Sequence, residues 1–438
     1  MSQYKPYPAY KDSGVEWLGR VPEHWEARPL WAVASCNDDV ISDGTDEDFE
    51  FDYIDISSVS LDKGVNETTR LRFADAPSRA RRLVKRGDII ISTVRTYLRA
   101  LAVIDGDHEG CVASTGFAVV RSLGEVSTKF LGWALLSDIF ISAVEARSQG
   151  VSYPAINATD LVKLKLPVPQ LDEQKTIAAF LDRETARIDA LIQKKQRLIE
   201  LLKEKRQAVI TQAVTKGLDP NVPMKDSGVE WLGEVPAHWD VLHVNRLYED
   251  YDYGISSSLG DEGDVAVLRM GNMKDGAIHL DNLAYVADAP SELLLKPGDL
   301  LFNRTNSIDL VGRVGIFGGA SFPVSFASYL VRLNLRYNVE AEYVNFLLNL
   351  PVILAVAQSI AIPAIGQANL SPSRYGDTYI CLPPTEEQRD IVLRLYEFLK
   401  PTTDLLAKAE HSIALLTEHR SALITAAVTG QIDVRDAA

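Results

Sequence analysis

The longest uninterrupted pattern in the chain is a run of 44 residues, Asp172 to Thr215, with no proline or glycine, bounded by Pro169 and Gly217. Acidic residues open it, where a helix dipole favours negative charge. At about 1.5 Å per residue it predicts a helix of roughly 66 Å. A four-three spacing from Ile177 visits Leu181, Glu184, Ile188, Leu191, Lys195, Leu198, Leu202, Lys205 and Val209, and seven of the ten positions are apolar. That is the seam of a helix that pairs with another. Upstream, β-rich runs such as Asp88 to Val94 and Ala118 to Arg121 alternate with Gly, Asp and Pro punctuation. One helical stretch, Lys129 to Arg147, precedes the loop SQGVSYPAIN. The pattern predicts a mixed globular part followed by a long helix.

The pattern then repeats. Residues 11 to 25 read KDSGVEWLGRVPEHW and residues 225 to 239 read KDSGVEWLGEVPAHW, thirteen of fifteen matching at a shift of 214. The same shift carries Glu173-Gln174 onto Glu387-Gln388, and Arg206 with AVITQAVT onto Arg420 with SALITAAVT. Between these anchors the match weakens: ADAPS at 74 to 78 returns at 287 to 291, and the Gly-Asp of RGDIIIS returns in PGDLLFN. Adding 214 to the seam gives Ile391, Leu395, Phe398, Thr402, Leu405, Ala409, Ser412, Leu416, His419 and Leu423, again seven apolar of ten. Pro401 is expected to kink or break this second helix. Copies of about 210 residues are far longer than solenoid repeats of roughly 20 to 50 residues, so each holds its own core.

The expected fold is α/β (α+β): two tandem globular domains joined by two long antiparallel helices with pseudo-two-fold symmetry. The boundaries read as a first domain over 1–168, a first helix over 169–217, a second domain over 218–382, a second helix over 383–430 and a tail over 431–438. The linker Leu218 to Met224 is short, so the domains are expected at opposite ends of the first helix, and the second helix must run back if the seams pair.

Composition narrows the function. The chain has 438 residues, 46% apolar and 24% charged, with a net charge of −15, a folded composition that is acidic as a whole. Cys36, Cys111 and Cys381 are too few and too scattered for a disulfide framework or a zinc motif. The N-terminal MSQYKPYPAYKDSG lacks the apolar stretch of a secretory signal, and Tyr343 to Ile365 is interrupted by Pro351 and Pro363, so a buried helix is expected there and a cytoplasmic chain overall. No phosphate loop, dinucleotide fingerprint, zinc-protease motif or nucleophile elbow occurs. The loop IFGGASFP at 316 to 323 lacks a helix behind it, the seven histidines form no cluster, and Trp17, Trp25, Trp231 and Trp239 read as core anchors of the repeated opening.

One segment opposes the acidic trend. Arg70 to Arg99 holds nine basic residues against Asp75 and Asp88. Arg79, Arg81, Arg82, Arg95 and Arg99, with Ser92, Thr93 and Tyr97, have the donors and the aromatic face that phosphates and base edges take. In the second copy the equivalent segment reads FNRTNSIDL, where Asn303, Arg304, Thr305 and Asn306 offer amide and guanidinium forks suited to adenine and guanine, although a tight polar turn would use the same residues. Gln149 and Tyr153 in the loop of the first copy and Gln367 in the second complete the candidate DNA-contacting set. A solvated charged face is the alternative for the basic run.

Two DSGVEWLG-x-VP-x-HW openings, a GDLLFNRTNS central segment, and a P-x-EQ entry into a long helix ending in R-x-A-[VL]-I-T-x-AVT before a glycine resemble the specificity subunit of type I restriction-modification systems over nearly the whole chain. The resemblance implies a non-catalytic subunit in which each globular part is a target recognition domain reading one half of a bipartite duplex DNA sequence. It implies that the helices space the domains and dock two modification (methyltransferase) subunits, which bind S-adenosylmethionine. Restriction subunits, with ATP/Mg-driven translocase and nuclease activity, would join them; no cofactor is expected in this chain and no membrane. GDIIISTVRTYLR in the first copy departs from the FNRTNS pattern, so contacts do not transfer between copies. A coiled-coil interaction adaptor without DNA reading is the competing expectation. A self-contained methyltransferase would need an Asn or Asp before the prolines of LPPTEEQ, and none is there.

A spacer role for the helices has a measurable consequence. Four residues inserted after Lys195 and after Ala409 add about 6 Å and roughly 40° of rotation. One DNA base pair adds about 3.4 Å and roughly 35°. A misphased domain loses its groove, whereas bending absorbs a small length mismatch. The insertion variant is therefore expected to modify the same half-sites with the gap one base pair longer, two being the second choice because the rise alone favours it, read by methylation sequencing; altered half-sites at an unchanged gap would refute the spacer role.

Overall fold

The computed structural model describes residues 4–436. The chain divides into two compact units, one holding the chain up to Gln196 together with Glu410 onward, the other Arg197–Ala409. Both boundaries fall inside the long helices Leu171–Lys216 and Thr385–Val428. Each unit therefore combines the globular part of one sequence copy with the start of its own helix and the end of the other copy's helix.

The first unit is built on two four-stranded sheets. In one, Ile89–Ser92 lies centrally between Leu101–Val103 and Phe117–Ser122, with Ala34–Cys36 on the far side of the latter, all antiparallel. Ile89, Ile90 and Ile91 are all buried, which is why this strand reads as an unbroken β-branched run instead of alternating. The other sheet runs Thr69–Arg72, Glu50–Ile54, Val112–Ser114, Ala80–Leu83. The helical stretch expected over Lys129 to Arg147 is two helices, Thr128–Leu136 and Asp138–Arg147, with the buried Ser137 between them in extended conformation, its hydroxyl donating to the Ala134 carbonyl at 2.6 Å.

The second unit has a six-stranded sheet in which Leu300–Asn303 takes the place of Ile89–Ser92, flanked by Leu330–Leu335 and Val314–Ile316. The apolar stretch near Tyr343 forms helices Ala341–Leu348 and Pro351–Ile360, bent by 71°. Among the described residues no single helix is long and apolar enough to cross a membrane. The polar residues of this stretch have partners: Asn345 donates to the Gly276 carbonyl at 2.9 Å, Asn349 to Val314 at 3.0 Å and Gln358 to Asp309 at 3.3 Å.

The repeated motifs meet where the long helices join the globular parts. Trp25 and Trp239 are fully buried; at ~25 cal/mol per Å² and 150–250 Å² per ring, each contributes roughly 4–6 kcal/mol before conformational entropy is subtracted. His24 Nε2 lies 2.9 Å from Glu173 Oε2, and His238 Nε2 lies 2.7 Å from Glu387 Oε2. The buried Gln174 accepts from the Ser127 amide at 2.7 Å and donates to the Pro169 carbonyl at 2.8 Å. Gln388 makes the same pair of bonds, with the Glu340 amide and the Pro383 carbonyl, both at 2.9 Å. The repeated Glu-Gln is thus the bolt between helix start and globular part.

The helices pack antiparallel. In the first unit Ile177, Leu181 and Ile188 share a core with Leu423, Ile424 and Val428. In the second, Ile210, Ala213 and Val214 share one with Ile391 and Leu395. The predicted seam slips by one residue toward the middle of each helix: Leu191 and Leu198 are exposed while Ile192 and Ile199 are half-buried, and Leu405 is exposed while Leu406 is buried. A straight helix at 3.6 residues per turn drifts about 20° per heptad from a strict seven-residue seam. Pro401 does not end the second helix. It sits on the exposed face, as does Glu397, whose carbonyl loses its helical donor where solvent can reach it.

Gly430 closes the second long helix at φ +73°, and a Cβ there would lie 2.4 Å from the Pro22 ring and 3.3 Å from Trp25. Gly217 closes the first at φ +79°, with its nearest contacts at 3.3 Å or more. Left-handed backbone alone costs a side chain about 1–2 kcal/mol. Gly430→Ala is expected to exceed that because Pro22 must move, while Gly217→Ala stays near it; denaturant unfolding of the two variants measures the difference.

Candidate DNA interface

Both central strands end in a polar loop, and both loops are pinned by a later segment of the same unit. In the first, the chain leaves Ser92 and turns at Thr96–Leu98 between two left-handed residues, Arg95 and Arg99, each at φ +50°. The Ile156 amide donates to the Thr93 carbonyl at 2.9 Å and the Thr96 amide to Pro154 at 3.3 Å. The Thr96 hydroxyl donates to Ser148 at 2.8 Å. The Arg99 guanidinium is bound by Glu145 at 2.9 and 3.1 Å and by Asp138 at 3.3 Å. What this anchoring presents outward is Val94, Arg95, Tyr97 and Leu98, all exposed, with the Arg95 guanidinium 5.0 Å from the exposed Tyr153 ring.

In the second unit Thr305–Asn306 pairs with Gln367–Asn369, which pairs with Ile362–Ala364. The Leu370 amide donates to the Arg304 carbonyl at 2.8 Å and the Thr305 hydroxyl to Asn369 Oδ1 at 2.7 Å. Arg304 lies 5.0 Å from the Tyr253 ring centre. Beside this loop opens a cleft of about 900 Å³ lined by Asn303, Asn306, Arg313, Arg269, Lys274 and His279 among others. Asn303 is 2% exposed, and its Oδ1, like Arg304 Nε and Arg313 Nε, has no partner among the described residues.

The candidate residues thus divide by environment. Arg95, Tyr97, Gln149, Tyr153 and Gln367 are exposed, and Arg304 and Asn306 half-buried. Ser92, Thr93, Asn303 and Thr305 are buried, and the hydroxyls among them are spent inside: Ser92 donates to the Val94 carbonyl at 2.5 Å and Thr93 to Gly116 at 2.9 Å. Ser92, Thr93 and Thr305 hold loops in place, while the buried Asn303 amide faces the cleft.

The basic run is less cationic on the surface than along the chain. Arg70 pairs with Glu50 and Asp52, Arg72 with Asp48 and Asp75, Arg79 with Asp55, Arg81 with Asp43, Lys85 with Asp39 and Arg99 with Glu145 and Asp138. For Arg70 the cause is strand pairing, which sets Asp52 opposite it and Glu50 two residues along the same neighbouring strand. Arg82, Arg86 and Arg95 have no carboxylate partner among the described residues; Arg82 Nε is buried without a partner, and Arg81 also lies 5.1 Å from the Phe73 ring. Among the described residues no group of three or more His, Cys, Asp or Glu side chains is placed to hold a metal ion.

A family profile described as the type I restriction modification DNA specificity domain matches residues 80–201, the span from the basic run into the first long helix. The type I restriction enzyme EcoKI specificity subunit of Escherichia coli K12 is 23% identical over 94% of this chain and 90% of its own length. The putative type I restriction enzyme MjaX specificity subunit of Methanocaldococcus jannaschii is 24% identical over 95% of this chain and 96% of its own. Over nearly its whole length the chain is similar to type I specificity subunits. Solved structures of the family share the fold: a chain from a study of complex assembly and conformational transition of the type I R-M system aligns with a TM-score of 0.71 at 21% identity, covering 94% of this chain and 99% of that one. The HsdS subunit from Thermoanaerobacter tengcongensis aligns at 0.52 with 22% identity, covering 94% and 98%. These alignments span both sequence copies. The features that its sequence did not single out are Tyr253 behind Arg304, the cations Arg269, Lys274 and Arg313 along the cleft, and the hairpin tips at Val151 and Ile365. Only the recurrence of a small-residue loop after the helical stretch of each copy could have pointed to the tips.

Arg304→Ala is expected to cost about 1–3 kcal/mol at one base position of one half-site and to leave the other half-site unchanged. Arg79→Ala, whose guanidinium is already held by Asp55 and Tyr53, is expected to leave DNA affinity near wild type. Competition binding of the assembled complex against single-base variants of the target distinguishes the two.

Proposed function

We propose that the chain is the non-catalytic DNA-recognition subunit of a type I restriction-modification complex, each globular part reading one half of a bipartite duplex target while the long helices set the gap and dock two modification subunits. The observation that carries this reading is one frame furnished twice with different groups. A buried central strand ends in a pinned loop in both units, yet the loop offers Val94, Arg95 and Tyr97 in one and Arg304 and Asn306 in the other. A target with two unlike halves requires that combination. An interaction adaptor would have no use for two differently furnished loops.

The helices support the docking role. Leu191, Leu198, Leu201, Leu393, Tyr396 and Leu415 are exposed on them, apolar surface that further helices could cover. S-adenosylmethionine chemistry belongs in this reading to the modification subunits, and ATP/Mg chemistry to restriction subunits, with this chain supplying address and spacing.

A net charge of −15 with most of the basic run internally paired makes the isolated chain a poor DNA ligand. Weak, salt-sensitive binding is expected alone, and tight sequence-specific binding only with two modification subunits, as titrations on labelled duplex at physiological salt would show. Nanomolar specific binding by the isolated chain would overturn the shared-field part of this proposal. Loss of methylation at one bipartite motif when the gene is removed tests the whole of it.

A further inference from the structure

The two hairpin tips beside the reading loops carry the most exposed aliphatic side chains of their units. Ile365 has a relative exposure of 106% and Val151 of 101%. Single exposed aliphatics are ordinary on protein surfaces; the placement of these two is what matters. Both occupy the turn of the segment that pins a reading loop, although the segments, SQGVSYPAIN and IAIPAIGQANL, differ in sequence. Both turns are held by backbone bonding: Gln149 and Ala155 exchange hydrogen bonds at 2.8 and 2.9 Å, and Ala364 pairs with Gln367. Each segment is in turn bonded to its loop, through Ile156 to Thr93 and Leu370 to Arg304. Each tip also sits in a unit whose loop carries an arginine on an aromatic ring, Arg95 on Tyr153 and Arg304 on Tyr253. An aliphatic group fixed beside hydrogen-bonding base readers matches the one apolar mark on a base edge in the major groove, the C5-methyl of thymine.

We propose that Ile365 and Val151 are specificity-determining residues, each contacting a thymine methyl group in the half-site read by its own unit. The proposal rests on the DNA-recognition reading above. The register gives it a position. Asn306 lies opposite Ala368, and Ile365 is three residues from Ala368 along the chain. Three residues span at most roughly 10 Å, so the thymine lies within about three base steps, at about 3.4 Å each, of the pair facing Asn306.

The test replaces thymine by deoxyuridine, one position at a time, in duplexes carrying the target established by methylation sequencing, and measures binding by the chain assembled with its modification subunits. Wild type is expected to lose about fourfold affinity at one position in each half-site, the worth of one methyl group returned to water, ~0.8 kcal/mol. Ile365→Ala is expected to abolish that sensitivity in its half-site while the response in the other half-site persists, which also shows that the variant is folded and assembled. Val151→Ala is expected to do the reverse. Half-sites without a thymine, or a variant that weakens thymine and deoxyuridine duplexes equally while wild type discriminates them, would overturn the proposal. A complex that binds no bipartite duplex at all would instead overturn the DNA-recognition reading on which it stands.

Discussion

The structure depends on the joint between long helix and globular part, where a buried tryptophan, a His–Glu pair and a glutamine with two backbone bonds close over a helix-ending glycine. Trp25 lies against Gly430 and Trp239 against Gly217, so each joint takes its tryptophan from one sequence copy and its glycine from the other. The unit of sequence duplication is therefore not the unit of folding. A chain folding only its first 217 residues would have a tryptophan lacking its glycine at one joint and a glycine lacking its tryptophan at the other.

From the joints outward, the sheets carry rigidity to the loops through a second duplicated device. Arg121 is held by both oxygens of the buried Asp88 at 2.7 Å and by Asp39 at 2.7 Å. Arg332 is held by Asp252 at 2.6 Å and by Asp299 at 3.3 Å. Asp88 and Asp299 are the aspartates of the two Gly-Asp pairs that precede the central strands, and they also accept the Lys85 and Lys296 amides at 2.8 and 2.9 Å. One carboxylate thus fixes both the turn into the strand and the arginine of the neighbouring strand. Hydrogen bonds from Lys85 and Arg121 hold Asp39 below the usual carboxylate range, so its contribution is present at neutral pH and fades as acid brings the pH down through that lowered value.

Long-range order was legible wherever a pattern was long or doubled. The helices followed from 44 residues without a breaker, and their antiparallel packing from connectivity and paired seams. Interior assignments within the seams were not, because a one-residue drift exchanges Leu198 for Ile199, and both are apolar. The candidate site was legible by segment more than by residue. Ser92 and Thr93 resemble base readers in a list of donors, yet they end a buried strand and turn inward. The basic run resembled a cationic surface because most of its counter-charges lie some 20 to 45 residues away, where strand pairing brings Asp52 to Arg70 and the fold of the loops brings Asp55 to Arg79.

That compensation has a kinetic side. Proteins with an uninterrupted cationic face linger on any DNA and slide along it, because every phosphate is an acceptable partner. Here most arginines of the run already have a carboxylate, and exchanging it for a phosphate gains little. A chain compensated in this way would leave a wrong sequence quickly, and its search would run mainly through solution. Residence time would then be decided by the few groups that meet their matching bases, and a genome full of decoys would take up little of the protein.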